Sequence, residues 1–483
     1  MPTNHPDLTA ALKALRAAEP DYDVAEQFYT GHVPEVFASQ KLRDLLGPTA
    51  ELYRVNYART PVDVLLERTK VQGWTCKDSG QQAAVEQVWT DNELGIEAKD
   101  VHLKAFEFGD SYLIAWPAED GDPDFPGGIA AYHHGPRHVR VIYDSEKPRK
   151  KKYAIHRWLE RGDYDTNGLR TDDVFQRVNV YYEDRVERWV SREVVQTATG
   201  RMLALRDDAE YDPFDGDGQP DTIDNPTPGV PVFHFRTARP YGRPEHADAY
   251  GPQHGINKLY SSLMGSVDHS VAPQRYALTE SSLEQQTPDD AWSDVVGPDE
   301  LTTESTTDTG LDPRSSMETG PGNVWLMSGK NLRVGQFDAA QSGNFTEPLL
   351  VLVQAMADVT DIPSSRYHKG GNMPSGDAQR MSERPLNAKV DDRQAQYGVT
   401  WHEFAQWVCD LNGLGETDAQ IAWAPPEVYT DKESWETAQI QLAAGVPFDQ
   451  VMRERGYTTQ VVAEWAPPAA IDSPPTAPVT EES

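Results

Sequence analysis

The chain has 483 residues and carries 77 acidic and 44 basic side chains, which gives a net charge of −33. That length exceeds what one ordinary hydrophobic core can organise, so several structural regions are expected. Its 12 tryptophans and 20 tyrosines exclude wholesale disorder, because disordered chains are poor in aromatic residues. The acidity disfavours a protein that grips nucleic acid tightly, since phosphate binding relies on Lys and Arg.

Signals for export, membrane insertion and metal binding are missing from the sequence. Residues 1–6 contain neither a basic nor an apolar segment, so no secretory leader is expected. The densest apolar run, residues 349–353, is far shorter than the roughly 20 residues that span a bilayer. Cys76 and Cys409 are distant in sequence and belong to no CxxC or Cys/His cluster. We therefore expect no zinc site, no disulfide framework and no membrane partner, and synthesis in a reducing cytoplasm.

The N-terminal quarter is predicted to be helical. Residues 9–18 are rich in good helix formers, and the segment ends near Gly31. A second helix begins with Pro61 in its first turn and is expected to close at Gly73 and Trp74. Two further helices are predicted over residues 81–89 and 97–108.

Between residues 111 and 206 the pattern changes to strands separated by clusters of Gly, Asp and Pro. These strands predict an antiparallel meander, and the fold class is therefore α+β rather than a doubly wound sheet. A loop over residues 212–228 leads to one more strand. The predicted strands cover residues 112–116, 139–143, 153–158, 178–182, 186–190 and 230–235.

Helices return in the C-terminal half. Residues 279–322 are polar and acidic, and they suggest an exposed or partner-dependent region, followed by a hairpin over residues 324–334. Pro385 lies inside the longest helical pattern and should kink it, because proline removes one backbone donor and clashes with the preceding turn. The tail 467–483 is rich in Pro, Ala and Thr and is expected to be disordered. The predicted helices cover residues 253–271, 347–359, 375–411 and 431–465.

No motif for catalysis or cofactor binding emerges. Gly329-Lys330-Asn331 has Asn where a phosphate-binding loop requires Ser or Thr, and Val324 occupies the position of its first Gly. The acidic turn 215–221 has Gln219 and Pro220 where a calcium loop needs a ligand and a glycine. His133, His134 and His138 lie in a glycine-rich context, where ordinary loop histidines are favoured over a metal site. We therefore predict no catalytic residue, no cofactor and no metal.

Residues 147–152, Lys-Pro-Arg-Lys-Lys-Lys, form the one strong basic run. Such a run can be a nucleic-acid patch, but its position between two predicted strands favours a solvated hairpin tip. A neighbouring copy of this acidic chain would offer it a partner, so a role in assembly also stays open.

The order of these elements resembles that of the portal proteins of tailed bacteriophages, specifically the siphophage portals of Gram-positive hosts. The resemblance runs from about Phe28 to Trp465, and its specificity comes from the shared order of short motifs. The matching segments are residues 28–31 (Phe-Tyr-Thr-Gly), 71–74 (Val-Gln-Gly-Trp), 89–92 with 108–112 (Trp-Thr-Asp-Asn, then Phe-Gly-Asp-Ser-Tyr), 225–232 (Asn-Pro-Thr-Pro-Gly-Val-Pro-Val), 273–277 (Pro-Gln-Arg-Tyr-Ala), 361–363 (Asp-Ile-Pro) and 372–378 (Asn-Met-Pro-Ser-Gly-Asp-Ala).

The resemblance implies a ring, usually of twelve subunits, at one vertex of the capsid. Double-stranded DNA would pass through it without sequence preference, and the terminase large subunit, the major capsid protein and a head–tail adaptor would dock on it. On this chain it implies an arm and wing at 1–245, a first stem helix at 246–271, a clip at 272–345, a second stem helix at 346–362, a tunnel loop at 363–375, a long kinked helix returning to the wing at 376–426, a crown at 427–466 and a disordered tail at 467–483.

The resemblance also assigns roles to side chains. Stem helix 346–362 should pack between neighbours, and the tunnel loop should point at DNA, with glycines that give it freedom to move. An acidic bore would repel phosphate along the rest of the channel. The stem-packing residues are Leu349, Leu350, Val353 and Met356, and the tunnel-loop residues are His368, Lys369, Gly370, Gly371, Asn372 and Met373.

Two other classes of protein stay open at this point. One is a capsid-associated minor head protein without a channel, and the other is a phage enzyme such as a nuclease or a peptidase fused to a head protein. The enzyme requires a carboxylate or histidine cluster, which the sequence does not show. The channel requires the apolar helix 347–359 to lie beside a flexible loop and a long helix.

Overall fold

The computed structural model combines helices with antiparallel sheets, as the α+β prediction requires. It describes residues 5–33, 55–119, 121–161, 174–192, 209–214, 220–271, 275–278, 333–336, 343–367, 376–424 and 431–453, together with residues 455, 457, 462 and 465. The helices are α1 (Pro6–Thr30), α2 (Thr60–Arg68), α3 (Ser79–Asp91), α4 (Leu94–Phe108), α5 (Tyr250–Val271), α6 (Gly343–Thr360), α7 (Gly376–Leu411), α8 (Asp431–Ala443) and α9 (Phe448–Arg453). None of these helices is both long and apolar enough to cross a lipid bilayer.

The strands are β1 (Val71–Thr75), β2 (Asp110–Pro117), β3 (Ile129–His134), β4 (Val139–Tyr143), β5 (Lys151–Arg161), β6 (Val174–Tyr181), β7 (Arg185–Ser191), β8 (Tyr211–Pro213), β9 (Thr222–Asp224), β10 (Val232–Arg236), β11 (Arg275–Leu278), β12 (Arg333–Gln336) and β13 (Gln420–Trp423). The largest sheet has the order β4-β5-β6-β7-β8, with β9 also paired to β7, and its first four strands form the predicted antiparallel meander. A second sheet has the order β10-β2-β3, and β1 pairs with β13 while β11 pairs with β12.

The six-stranded sheet is buried on both faces. On one face the apolar residues Leu8, Ala11 and Leu15 of α1 pack in a cluster with Tyr153 and Val178. The opposite face carries Val141, Ala154 and Val186, which cluster with Tyr112 and Val232 of the β10-β2-β3 sheet. Two covered faces explain why the consecutive residues Tyr153, Ala154 and Ile155 of β5 are all buried apolar side chains, since successive side chains of a strand point to opposite faces.

An aromatic core holds the C-terminal half of α7 against the smaller sheet. Trp401 and Phe404 of α7 are fully buried and contact Phe233 and Phe235 of β10 edge to face. The indole nitrogen of Trp401 donates to His102 Nε2 at 3.1 Å. Burial lowers the pKa of His102 to about 3, so its ring stays neutral and can accept this bond.

By its internal contacts the chain divides into two compact units. One comprises residues 1–34, 56–251 and 355–483, and the other comprises residues 35–55 and 252–354. The second unit contains most of α5, the β11–β12 pair and the first part of α6.

Several predicted elements need correction. Gly73 and Trp74 do not close a helix but lie in β1, which pairs with β13 some 350 residues later in the chain. His133 and His134 lie in strand β3 rather than in a loop. The predicted loop 212–228 contains strand β9. Within the described residues of the predicted C-terminal helical unit, 431–465, lie the separate helices α8 and α9. Strand β12 corresponds to the second arm of the predicted hairpin, and it pairs with β11. Residues 324–332, which include the first arm, lie outside the described residues.

Candidate functional site

The predicted stem helix corresponds to α6, and two of its four predicted packing residues are buried. Met356 is fully buried and Val353 is nearly so, whereas Leu349 is half-buried. Leu350 is 50% exposed, and its neighbour Val351 is 67% exposed. In a single chain, α6 therefore buries one face and leaves apolar side chains on the other in contact with water, which costs about 25 cal/mol for each Å² exposed.

The other predicted stem helix, α5, packs closely against the first half of α6. A Cβ atom added at Gly255 would lie 2.8 Å from a methyl group of Leu352, so the absence of a side chain brings the two helices together here. Of the apolar residues at helical spacing in α5, namely Ile256, Leu259, Tyr260, Leu263 and Val267, only Ile256 is fully buried, and Val267 is 48% exposed. Like α6, this helix leaves part of its apolar surface uncovered in the single chain.

The end of α6 is fixed by a hydrogen-bonded cap rather than by Pro363 alone. Asp361 adopts a left-handed backbone with a φ of 59°, and the amide of Ile362 donates to the carbonyl of Ala357 at 3.2 Å. This is the six-to-one bond of a Schellman cap, in which Gly is the usual left-handed residue. The Thr360 hydroxyl lies 2.9 Å from the hydroxyl of buried Tyr367, so the chain leaving α6 is held in place up to residue 367.

The six tunnel-loop residues His368, Lys369, Gly370, Gly371, Asn372 and Met373 lie outside the described residues, so their role stays a prediction. Arg366, which sequence reasoning did not single out, precedes this segment and pairs with Glu67 at 3.5 Å. On its far side the segment leads into α7, the predicted long helix, which contains Pro385 in an exposed position. The predicted kink at Pro385 stays a prediction.

A buried polar network lies where α1 meets the two larger sheets. The Asp110 carboxylate, 2% exposed, is 2.8 Å from His234 Nε2 and accepts hydrogen bonds from the amide of Gly242 at 2.7 Å and the hydroxyl of Tyr22 at 3.2 Å. Burial opposes its charge, yet these donors and the nearby Arg140 hold the pKa of Asp110 below its usual range.

On its other side, His234 Nδ1 lies 2.9 Å from the Tyr143 hydroxyl. Burial lowers the pKa of His234 despite the neighbouring Asp110, so we assign it as the neutral tautomer that donates from Nε2 and accepts at Nδ1. Burial also raises the pKa of the Tyr143 hydroxyl, so Tyr143 stays protonated and donates to His234 Nδ1. The Asp–His–Tyr chain thus ties strands β2, β4 and β10 together.

The histidines and cysteines form no metal site among the described residues, in which no group of three or more His, Cys, Asp or Glu side chains could hold an ion. Burial lowers the pKa of His134 to about 4 and that of His156 to about 2, and their rings lie 4.2 Å apart. Cys76 and Cys409 are free thiols, and burial raises the pKa of both.

The basic run 147–152 connects β4 and β5, as the hairpin prediction states, but its lysines do not simply extend into water. Lys150 pairs with Glu183 at 3.0 Å, and Lys152 lies 3.4 Å from a carboxylate oxygen of Asp7. Lys151 is only 12% exposed at its side chain and pairs with Glu403 of α7. Three of the six residues are therefore ion-paired within the chain.

Comparison with known proteins identifies the class to which this architecture belongs. The family model described as "Phage portal protein, SPP1 Gp6-like" matches residues 53–442, which is most of the chain. The chain belongs to this family, and it is a portal protein at the capsid vertex of a phage virion.

A curated relative is the portal protein of Mycobacterium phage D29, which is 22% identical over 421 residues, covering 84% of this chain and 77% of the relative. Among solved structures, a neck of an empty gene transfer agent particle aligns with a TM-score of 0.42 at 12% identity, covering 85% of this chain and 90% of that one. The virion of a native gene transfer agent particle aligns with a TM-score of 0.37 at 14% identity, covering 88% and 94%.

Proposed function

We propose that this portal protein is a subunit of a closed ring, usually of twelve copies, whose central channel passes double-stranded DNA during packaging and ejection. A separate terminase motor supplies the work, the major capsid protein and a head–tail adaptor contact the ring from outside, and the chain itself carries out no reaction. The observation that carries the proposal is the uncovered apolar surface of α6, at Leu350 and Val351, beside its buried face. Large apolar side chains this exposed beside a buried face fit a surface that a neighbouring subunit covers in an assembly.

The regional assignment follows from the same proposal. The wing contains the two larger sheets with α1 to α4, and the stem contains α5 and α6. The tunnel loop is the segment 363–375, and the C-terminal half of α7 returns to the wing, where Trp401 packs against the smaller sheet. The clip lies between the stem helices, and α8 and α9 belong to the crown. Anchoring through Tyr367 supports this assignment, because a loop that contacts moving DNA needs fixed ends.

Negative-stain imaging of the purified protein tests the ring directly. The expected particles are annular with a central hole, and mass measurement in solution gives the number of copies. A protein that stays a compact monomer at every concentration and ionic strength overturns the proposal. Ionic strength belongs in the design because some twelve copies of a −33 chain repel one another strongly at low salt.

The tunnel loop needs its own test. Replacing Gly370 and Gly371 with Pro should leave ring formation intact and reduce the amount of DNA packaged into heads, because proline fixes φ and stiffens the loop. The matched control places Ala at both positions, which restricts the backbone far less. Normal packaging by the proline variant removes the tunnel-loop assignment while leaving the ring in place.

A further inference from the structure

A pocket lined by basic residues opens between the β4–β5 hairpin, the end of β10 and one side of α7. Its volume is about 410 Å³, and it has a single carboxylate, Glu403, in its wall. The cationic side chains around it are Arg149, Lys151, Arg236 and Arg239. His234 also lines it, but burial keeps that ring neutral. The pocket therefore has a local excess of three positive charges in a chain whose net charge is −33.

Only one of the four cationic side chains around this pocket has a carboxylate partner among the described residues. Lys151 pairs with Glu403, which accounts for the one carboxylate. Arg236 lies 4.5 Å above the Tyr143 ring and donates to the carbonyl of Pro240 at 2.6 Å, so it is held in place without a counter-charge. Arg149 and Arg239 are exposed, and neither forms an ion pair with any residue in the described part of the chain.

Elsewhere in the described ranges, arginines commonly have carboxylate partners. Arg192, for example, contacts Asp212 and Glu210, each at 2.6 Å, and Arg68 contacts Glu383 at 3.1 Å. Around this one concave site, three guanidinium groups have no carboxylate partner among the described residues, so the pocket can accept a further carboxylate. Planar guanidinium groups match carboxylates in two-point contacts.

We propose that this pocket receives one or two carboxylate side chains from an adjacent copy of the same chain. The inference rests on the ring proposed above, which places an acidic neighbour beside every subunit. Each copy brings 33 more negative than positive charges, so acidic side chains at high local concentration are available to every pocket. Val399, 60% exposed on the pocket wall, adds an apolar contact, and arginine with apolar surface is typical of protein interfaces.

The shape of the pocket favours a protein side chain over DNA. A duplex presents its phosphates on a convex surface and could not enter a concavity of this volume, whereas Asp and Glu side chains can. DNA binding therefore becomes an outcome that the experiment must separate from the proposed contact.

Charge reversal tests the contribution of the pocket to assembly. The Arg149→Glu/Arg239→Glu variant should raise the protein concentration needed for half-maximal ring assembly at least tenfold, measured by analytical ultracentrifugation in moderate salt. The matched control is Lys13→Glu/Lys99→Glu, which changes the net charge equally at two exposed positions outside the pocket and should shift that concentration less than threefold. Circular dichroism melting should show that both variants fold as the wild type does. Equal effects of the two variants overturn the proposal.

Chemical coupling then identifies the partner. In an Arg239→Lys variant, rings assembled from mixed ¹⁴N and ¹⁵N copies are treated with a zero-length carbodiimide, which joins amines only to carboxylates in contact. The expected product is an isotopically mixed peptide pair that links position 239 to an Asp or Glu of the other copy. If assembled rings give no such pair, this inference is overturned while the proposed ring stands. If the wild-type chain never assembles, both this inference and the proposed ring are overturned. If rings of the Arg149→Glu/Arg239→Glu variant assemble normally but retain less DNA, and the coupling experiment gives no mixed peptide pair, the pocket binds phosphate and the proposed carboxylate contact is overturned.

Discussion

At the scale of single residues, Asp110 shows how a buried charge is tolerated in this chain. Its carboxylate has three hydrogen-bond donors, namely the imidazole of His234, the amide of Gly242 and the hydroxyl of Tyr22. The Tyr22 hydroxyl in turn accepts from Arg140 at 3.1 Å. A buried carboxylate without such donors would be protonated, so these bonds keep Asp110 ionised and connect α1 to both sheets.

The Asp110→Ala substitution should therefore destabilise the fold by about 3–5 kcal/mol, because it leaves three buried donors without their acceptor and removes the negative charge near Arg140. Urea denaturation followed by tryptophan fluorescence measures the change. The control is Asp23→Ala, which removes a surface partner of Arg137 that is 58% exposed and should cost about 1 kcal/mol or less. Similar losses for the two variants would show that the network contributes no more than a surface ion pair.

His134 and His156 predict how stability depends on pH. Their pKa values of about 4 and about 2 lie below the ordinary value of 6.5 because burial disfavours the charged ring. The neighbouring histidines lower the two values further: His133 and His138 for His134, and His134 and His138 for His156. The unfolded chain takes up the proton first, so their contribution to stability is intact above about pH 6.5 and is lost as the pH falls towards the folded pKa values.

Lowering the pH from 7 to 5 should cost roughly 1–2 kcal/mol for each of the two rings. The His134→Gln/His156→Gln variant lacks both titrating groups, so it should lose correspondingly less stability over the same interval, whatever its stability at pH 7. Urea midpoints at the two pH values measure this difference. Parallel losses in the variant and the wild type would assign acid sensitivity to other groups.

At the scale of elements, two glycines explain why residues 108–112 form a recognisable motif. Gly109 ends α4 with a φ of 91°, and a Cβ there would lie 2.5 Å from the backbone of Gly242 and Arg243. A Cβ at Gly242 would lie 1.8 Å from the carbonyl oxygen of Gly109. The two backbones touch, which lets the Gly242 amide reach Asp110, the residue that follows Gly109.

Gly109→Ala should cost about 3 kcal/mol or more, because it combines a left-handed backbone with a clash against main-chain atoms that cannot rotate away. The control is Gly135→Ala, where no atom lies within 4 Å of the added Cβ and the effect should stay within about 1 kcal/mol. Thermal melting of both variants distinguishes them. A Gly109→Ala protein as stable as the control would contradict the close approach.

The local elements were predicted well from the sequence, and the distant pairings were not. Strand β4 has the predicted bounds, and α1 ends at Gly31 as expected, because alternation and glycine caps act within a few residues. Strand β1 was missed because its partner, β13, lies about 350 residues away and Gly73 interrupts its pattern. No local signal specifies such a pairing.

The same limit applies to the candidate sites. The sequence pointed to Arg149 and Lys151 because they belong to the basic run. Arg236 and Arg239 line the same pocket only because β10 lies in the neighbouring sheet, which no local pattern indicates. For the predicted stem helix, the apolar pattern identified the helix itself correctly. It could not identify the face that the chain buries, because Leu350 is as apolar as the buried Val353.

At the scale of the whole molecule, that distinction between faces of α6 makes folding and assembly separable. Val351 is 67% exposed, so Val351→Glu places a charge in water in the single chain and should change its stability by less than about 0.5 kcal/mol. In a ring whose neighbours cover this face, the same charge would be desolvated without a partner and should block or strongly weaken assembly.

The control is Val24→Glu, which makes the same change at a valine of α1 that is 41% exposed, and it should leave assembly near that of the wild type. Ring populations by analytical ultracentrifugation, set beside thermal melting of each variant, measure the two effects apart. A Val351→Glu protein that assembles as readily as Val24→Glu would mean that the apolar face of α6 stays open to water in the ring, and the stem would have to pack through other residues.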